Sequence, residues 1–202
     1  MPIGVNIKGD IKKATRFLTK VQKRQIPFAT SLAINGTAKI VQANSKATMQ
    51  KDLDNPTPAT VKSVRVQYSS KRNLRAAVFI IPAVDKFLRY QIHGGTRSPR
   101  GRTEAVPVSI RLNKYGNIIG RKAGKLKKLL GRDDTFSGTI KGVAGIWQRG
   151  RGKRRNKDVK LLVAYESRTR YRPRWAFYKY AIQATNRAWR KQFNIAMRRA
   201  LR

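Results

Sequence analysis

Forty-seven lysines and arginines face only nine aspartates and glutamates in this chain, a formal net charge of +38. Self-repulsion on that scale opposes a compact state unless something else supplies negative charge. Phosphate polymers are the natural supplier, because Lys and Arg that neutralise phosphates release condensed counterions. Whatever the chain folds into must therefore enclose a core while presenting a surface suited to a polyanion. Hydrophobic residues make up 40% of the 202 residues, enough for one core, and the length fits one globular domain with extended loops over 1–202.

The same residue inventory speaks against most chemistry. With no cysteine there are no disulfides, thiolate zinc sites or cysteine nucleophiles. His93 is the only histidine and stands just before Gly94-Gly95 as a turn residue, so triads and His-rich metal sites lack partners. The carboxylates are dispersed. Asp133-Asp134 is the one adjacent pair, with Asp52 and Asp54 next; a Mg²⁺-dependent nuclease needs clustered oxygens, and a turn or cap is the simpler role. The stretch from Gly120 to Gly124-Lys125 is one residue short of a phosphate loop and is followed by Leu126 instead of Ser or Thr. The chain is expected to be no enzyme and to use no cofactor and no metal. No apolar run approaches the ~18 residues of a membrane span, Ala76–Val84 being strand-length. The opening Met1-Pro2-Ile3-Gly4 lacks the features of a secretory signal, so a soluble, unprocessed protein is expected.

Periodicity predicts an α+β fold. Ile3, Val5 and Ile7 alternate as in a short strand, and Asp10 caps a helix carrying Ile11, Ala14, Phe17, Leu18 and Val21. Pro27 interrupts or restarts that helix. Ala29, Leu32, Ala33, Gly36, Ile40, Ala43 and Ala47 then form a stripe of mostly small residues suited to close packing, a neighbouring subunit included, ending near Asn55-Pro56-Thr57-Pro58 with an extended or turn segment after it. Val61, Val64, Val66 and Tyr68 predict a strand, Leu74–Pro82 a buried one, and Ser69–Asn73 the hairpin turn between them. A short helix is expected over Val84–Ile92, a strand over Ala105–Leu112, a turn at Tyr115-Gly116-Asn117, and a strand opening at Gly145-Ile146-Trp147 with Val159–Tyr165 as its partner. From Trp175 the pattern is helical. Tyr178, Ala181, Ile182, Ala184, Ala188, Trp189, Phe193 and Ala196 share one broad face, with Lys179, Arg187, Arg190, Lys191, Asn194 and Arg198 opposite. The expected order is a helical segment over about 10–54, a central, mostly antiparallel β-sheet with long basic loops over about 59–170, and a long C-terminal amphipathic helix over about 174–201.

The cations arrive as loops and helix faces: Arg121–Arg132, Arg149–Lys157 and Arg168–Arg174. No zinc finger, RRM signature or KH loop is present. Lys125, Lys127, Lys128, Arg149, Arg151, Lys153, Arg154, Arg155 and Lys157 are the candidate nucleic-acid contacts, and they are sequence-neutral because phosphate contacts carry no base information. Arg149–Lys157 reads as a basic hairpin tip or arm with no apolar content to fold it back. Trp147, Tyr165, Tyr171 and Trp175 flank these stretches, where stacking on bases is open to them and packing is the commoner fate. Leu32, Ile40, Tyr178, Ile182, Trp189 and Phe193 are the candidate subunit interface.

Three stretches carry a family likeness: Ile26-Pro27-Phe28-Ala29-Thr30-Ser31-Leu32-Ala33-Ile34-Asn35, Phe87-Leu88-Arg89-Tyr90-Gln91-Ile92-His93-Gly94-Gly95-Thr96, and Tyr171-Arg172-Pro173-Arg174-Trp175-Ala176-Phe177-Tyr178 leading into the final helix. With these the chain resembles the tail-completion proteins of lambda-type siphophages (the minor tail protein Z family) and, more distantly, other phage neck and head–tail joining proteins. The resemblance implies a structural virion protein without catalytic residues, assembled in the host cytoplasm at the head-proximal end of the tail. It implies a homo-oligomeric ring, most often a hexamer, touching neighbouring neck, connector or tail-terminator proteins and guiding genomic DNA, with no membrane partner. The arm carries more charge than a simple stopper would, so it faces either the DNA or an acidic partner ring. The alternative is a ribosomal or other RNA-scaffold protein binding rRNA, which would share the charge, the basic extensions and the missing active site.

Overall fold

The computed structural model describes residues 16, 19, 21–98, 103–119, 124–150 and 159–200. The expected first strand and most of the first helix lie outside these residues. The chain is α+β and forms two compact units, one from 1–52, 58–86 and 176–202, the other from 53–57 and 87–175.

The first unit is built on two long helices, α1 (Ile26–Asp52) and the C-terminal helix (Phe177–Ala200). A π-helical turn, Val21–Gln25, immediately precedes α1. Pro27 accounts for it: proline donates no N–H and its ring crowds the carbonyl four residues back, and a wider turn relieves both. Along α1 the buried side chains Ala29, Ala33, Thr37, Val41, Ser45 and Met49 recur every fourth residue. Facing them, the C-terminal helix buries Phe177, Ala184, Ala188, Ala196 and Ala200. Ala29 and Ala33 pack with Ala196 and Ala200, Gly36 sits where a Cβ would strike the end of the Gln192 side chain, and Asn44 Nδ2 donates to the Tyr180 carbonyl at 3.4 Å. Rising numbers on one helix meet falling numbers on the other, so the pair is antiparallel. The seam selects size over polarity: the Thr37 and Ser45 hydroxyls are buried in it without a hydrogen-bond partner, at a cost of about 1–3 kcal/mol each.

The buried seam is not the expected stripe. Ala29 and Ala33 belong to it, but Leu32, Ile40, Ala43 and Ala47 point outward. After α1 the segment expected to be extended contains a helical turn, α2 (Pro58–Lys62), because proline is well placed in a first turn. An antiparallel ribbon follows, β1 (Val64–Gln67) with β2 (Ala77–Ile80), Val64 opposite Ile80 and Gln67 opposite Ala77. Fully buried Val64 anchors it, and Gln42 Nε2 donates to the Val64 carbonyl at 2.8 Å. At its turn, Ser69 N–H donates to Asn35 Oδ1 (2.8 Å) while Asn35 Nδ2 donates to the Ser69 carbonyl (3.1 Å). The strand expected to be buried over 74–82 is instead half exposed: Ala77 and Phe79 face outward, since a two-stranded ribbon covered on one side buries alternate residues only.

Helix α3 (Pro82–His93) ends where Gly94 (φ +72°) and Gly95 (φ +113°) adopt a conformation closed to most residues. In the second unit, β3 (Gly95–Arg97) pairs with β8 (Thr169–Tyr171), and a four-stranded antiparallel sheet runs in the order β4 (Glu104–Pro107), β7 (Val159–Glu166), β6 (Val143–Arg149), β5 (Thr135–Ile140). The β5–β6 hairpin turns on Lys141 (φ +49°) and Gly142 (φ +78°), the left-handed pair that suits a two-residue loop. Ile146, Leu162 and Val163 form the sheet's core, covered by Leu126 and Leu129 of α4 (Lys125–Leu130). Between Ile146 and Trp147 the β6–β7 register shifts, leaving Leu162 as the extra residue, and its carbonyl accepts from Val108 N–H (2.9 Å) and Ser109 N–H (3.3 Å). The C-terminal helix is α5.

Candidate nucleic-acid and subunit interfaces

The strands flanking the expected basic arm pair antiparallel, with Arg149 opposite Val159. Arg151, Lys153, Arg154, Arg155 and Lys157 lie outside the described residues, as does the Lys125 side chain. What the structure does place is the arm's root. Arg149 ends β6 with its guanidinium 4.7 Å from the centre of the Phe136 ring, and it donates to the Asp133 carbonyl at 3.3 Å. Its backbone N–H donates to the Asp134 carbonyl at 2.8 Å. The cation is thus held in one orientation by a ring and a carbonyl while remaining exposed.

Asp134 organises this corner. Arg132 grips its carboxylate with two hydrogen bonds, 3.0 and 2.8 Å, and Gln148 Nε2 donates at 2.6 Å. The Gln148 hydrogen bond, then those from Arg132, hold the Asp134 carboxyl below its ordinary pKa. The pair Asp133-Asp134 is accordingly a turn into β5, with one carboxylate committed to Arg132 and Gln148. Thr135 Oγ1 donates to the Leu129 carbonyl at 2.5 Å and ties the end of α4 to the same corner. Because Leu126 and Leu129 face the sheet, Lys127 and Lys128 point outward. Of the nine candidate contacts, the structure therefore places the side chains of Lys127, Lys128 and Arg149, all exposed, near one end of the sheet.

The four flanking aromatics pack. Trp147 is buried with Nε1 donating to the Gly138 carbonyl at 3.1 Å, and Trp175 is only 1% exposed. Tyr165 lies against the sheet core, and Tyr171 against Tyr90 with ring centres 5.6 Å apart. His93 closes α3 just before the two glycines. Among the described residues no cluster of His, Asp or Glu could hold a metal ion, and no helix is long and apolar enough to cross a membrane.

Of the candidate interface residues, Tyr178 and Ile182 are 58% and 61% exposed, and Leu32, Ile40 and Trp189 also face outward. Phe193 differs: it packs on the alanine cluster and on Trp189, ring centres 5.6 Å apart. Tyr178 and Trp189 edge an open apolar groove of about 380 Å³ whose other walls include Val41, Val78 and Phe177. Elsewhere in this unit, a hydrogen bond to the Asp52 carboxylate, and then its charge, raise the pKa of the Tyr180 hydroxyl. No protein-family model matches the chain, and no curated protein and no solved structure matches it either.

Proposed function

We propose that this protein is a structural, non-enzymatic ring component at the head-proximal end of a long phage tail, holding DNA through sequence-neutral phosphate contacts. The observation that carries the reading is the charge imbalance. Even if each of the nine carboxylates neutralised one cation, 38 would remain, and Asp54, Glu104 and Asp134 are already engaged by Arg174, Arg97 and Arg132. The outward Tyr178, Ile182 and Trp189, on a helix whose buried face is mostly alanine, supply the kind of surface a neighbouring copy would cover.

The test pairs light scattering of nuclease-treated protein with duplex-DNA binding across a salt series. A discrete oligomer insensitive to RNase, with DNA affinity that falls steeply with salt and ignores sequence, supports the reading. Neutralising Arg151, Arg154 and Arg155 lowers the salt slope by about 2.7 if all three meet phosphates. A stable monomer indifferent to polyanions refutes it, and a monomer that associates with ribosomal RNA favours the RNA-scaffold alternative.

A further inference from the structure

Helix α5 carries six cations, Lys179, Arg187, Arg190, Lys191, Arg198 and Arg199, and not one Asp or Glu over Phe177–Ala200. Solvated helix faces ordinarily mix both signs, because acid–base pairs three or four residues apart support the helix and like pairs weaken it. Here Arg187 has Arg190 and Lys191 at those spacings. The helix dipole rewards cations in the last turn and accounts for Arg198 and Arg199. It does not reach Arg187, Arg190 and Lys191, which lie more than two turns from that end. A repulsive single-sign ridge in the middle of a helix calls for a counter-charge from outside.

Arg187, Arg190, Lys191, Asn194 and Arg198 are all exposed and fall within about 100° of arc, facing away from the alanine seam. With Ile195 they line a shallow concavity of about 540 Å³. From Arg187 to Arg198 the ridge runs about 16 Å, a length over which duplex DNA presents roughly ten phosphates. Arg187, Arg190 and Lys191 stand within about one turn of each other, inside a Debye length at physiological salt, so they act together on a polyanion, and Arg198 extends the ridge about two turns further along the helix. Arginine forks and the Asn194 amide donate to phosphate oxygens in a geometry that fixes position without reading bases.

We propose that this ridge of α5 is a binding site for the phosphate backbone of duplex DNA, separate from the β6–β7 arm. It rests on the nucleic-acid reading above and gives that reading a second, independent set of contacts. The experiment uses the full chain and a labelled duplex, with affinity measured across a salt series. In R187Q/R190Q/K191Q/R198Q the slope of log K against log[salt] falls by about 3.6, and in R187Q alone by about 0.9. R187K/R190K/R198K keeps the charges and the wild-type slope. Adding the arm substitutions lowers the slope further by an independent amount. If wild-type protein binds duplex and both Gln variants keep its slope, the ridge is overturned while the DNA reading stands. If wild-type protein does not bind duplex, both fall; if the Gln variants lose affinity for an acidic partner protein alone, the DNA assignment of the ridge is overturned.

Discussion

Gly138 and Gly145 face each other across one rung of the β5–β6 ladder, yet the structure predicts opposite outcomes for the same substitution. A Cβ built on Gly145 overlaps the Val163 carbonyl oxygen, stands 2.9 Å from Leu161 Cδ1 and 3.3 Å from the Ala164 Cα. The obstructing oxygen belongs to β7 backbone in the buried centre of the sheet, so it cannot swing aside as a side-chain terminus would. Overpacking of this kind costs about 1–3 kcal/mol, and the backbone clash puts Gly145→Ala near 3. At Gly138 the nearest atoms are Phe136 ring carbons at 3.6 Å, an ordinary contact, and the loss of chain entropy in the unfolded state makes Gly138→Ala stabilising by about 0.4–1 kcal/mol. Two alanines on one rung should therefore differ by about 3–4 kcal/mol. Urea titration followed by tryptophan fluorescence measures both, with hydrogen exchange at β6 and β7 amides locating the loss. If Gly145→Ala matched the wild type to within about 0.5 kcal/mol, the close approach of β6 and β7 would be wrong, and with it the account of how the arm is rooted.

Asn35→Ala removes both hydrogen bonds that hold the Ser69 backbone against α1, and costs about 2–4 kcal/mol by the same titration; a loss under about 0.5 would show that the ribbon does not depend on this clamp. Asp134 has a folded-state pKa below its ordinary 3.8, so its contribution is complete above that value and fades as pH falls through the lower folded pKa. Asp134→Asn should thus lose stability at neutral pH and converge with the wild type in acid, and Gln148→Ala and Arg132→Ala should each move the carboxyl titration upward in an NMR pH series.

The long helices and the β6–β7 pairing are plain in the sequence because apolar periodicity encodes them directly. The final helix expected from Trp175 begins at Phe177, and the strands expected around Ile146 and Val163 are paired as anticipated. Which apolar face becomes buried is a different matter. Hydrophobicity alone favours Ile182 and Trp189 for the interior, but a close helix pair admits only small side chains, and the alanines take that place. Strand β5 leaves little trace, since Thr135–Ile140 includes Gly138 and alternates weakly; it exists because the Lys141-Gly142 turn folds it onto β6. The Asp134 corner was legible only as two adjacent acids beside Arg132, because its meaning depends on Gln148 arriving from β6. The α5 ridge was visible as the polar side of a helix; the missing acids within it were the clue.

Over its first turns α1 presents a row of small teeth, Ala29, Ala33 and Thr37, one every four residues, and such a rack can mesh again after sliding by one tooth, about 6 Å. Alanine against alanine supplies adhesion without an address. The address comes from the irregular teeth: Gly36, which leaves room only where Gln192 arrives, and Asn44, whose amide meets the Tyr180 carbonyl. Alignment of the two longest helices thus hangs on a few positions that contribute little to their cohesion.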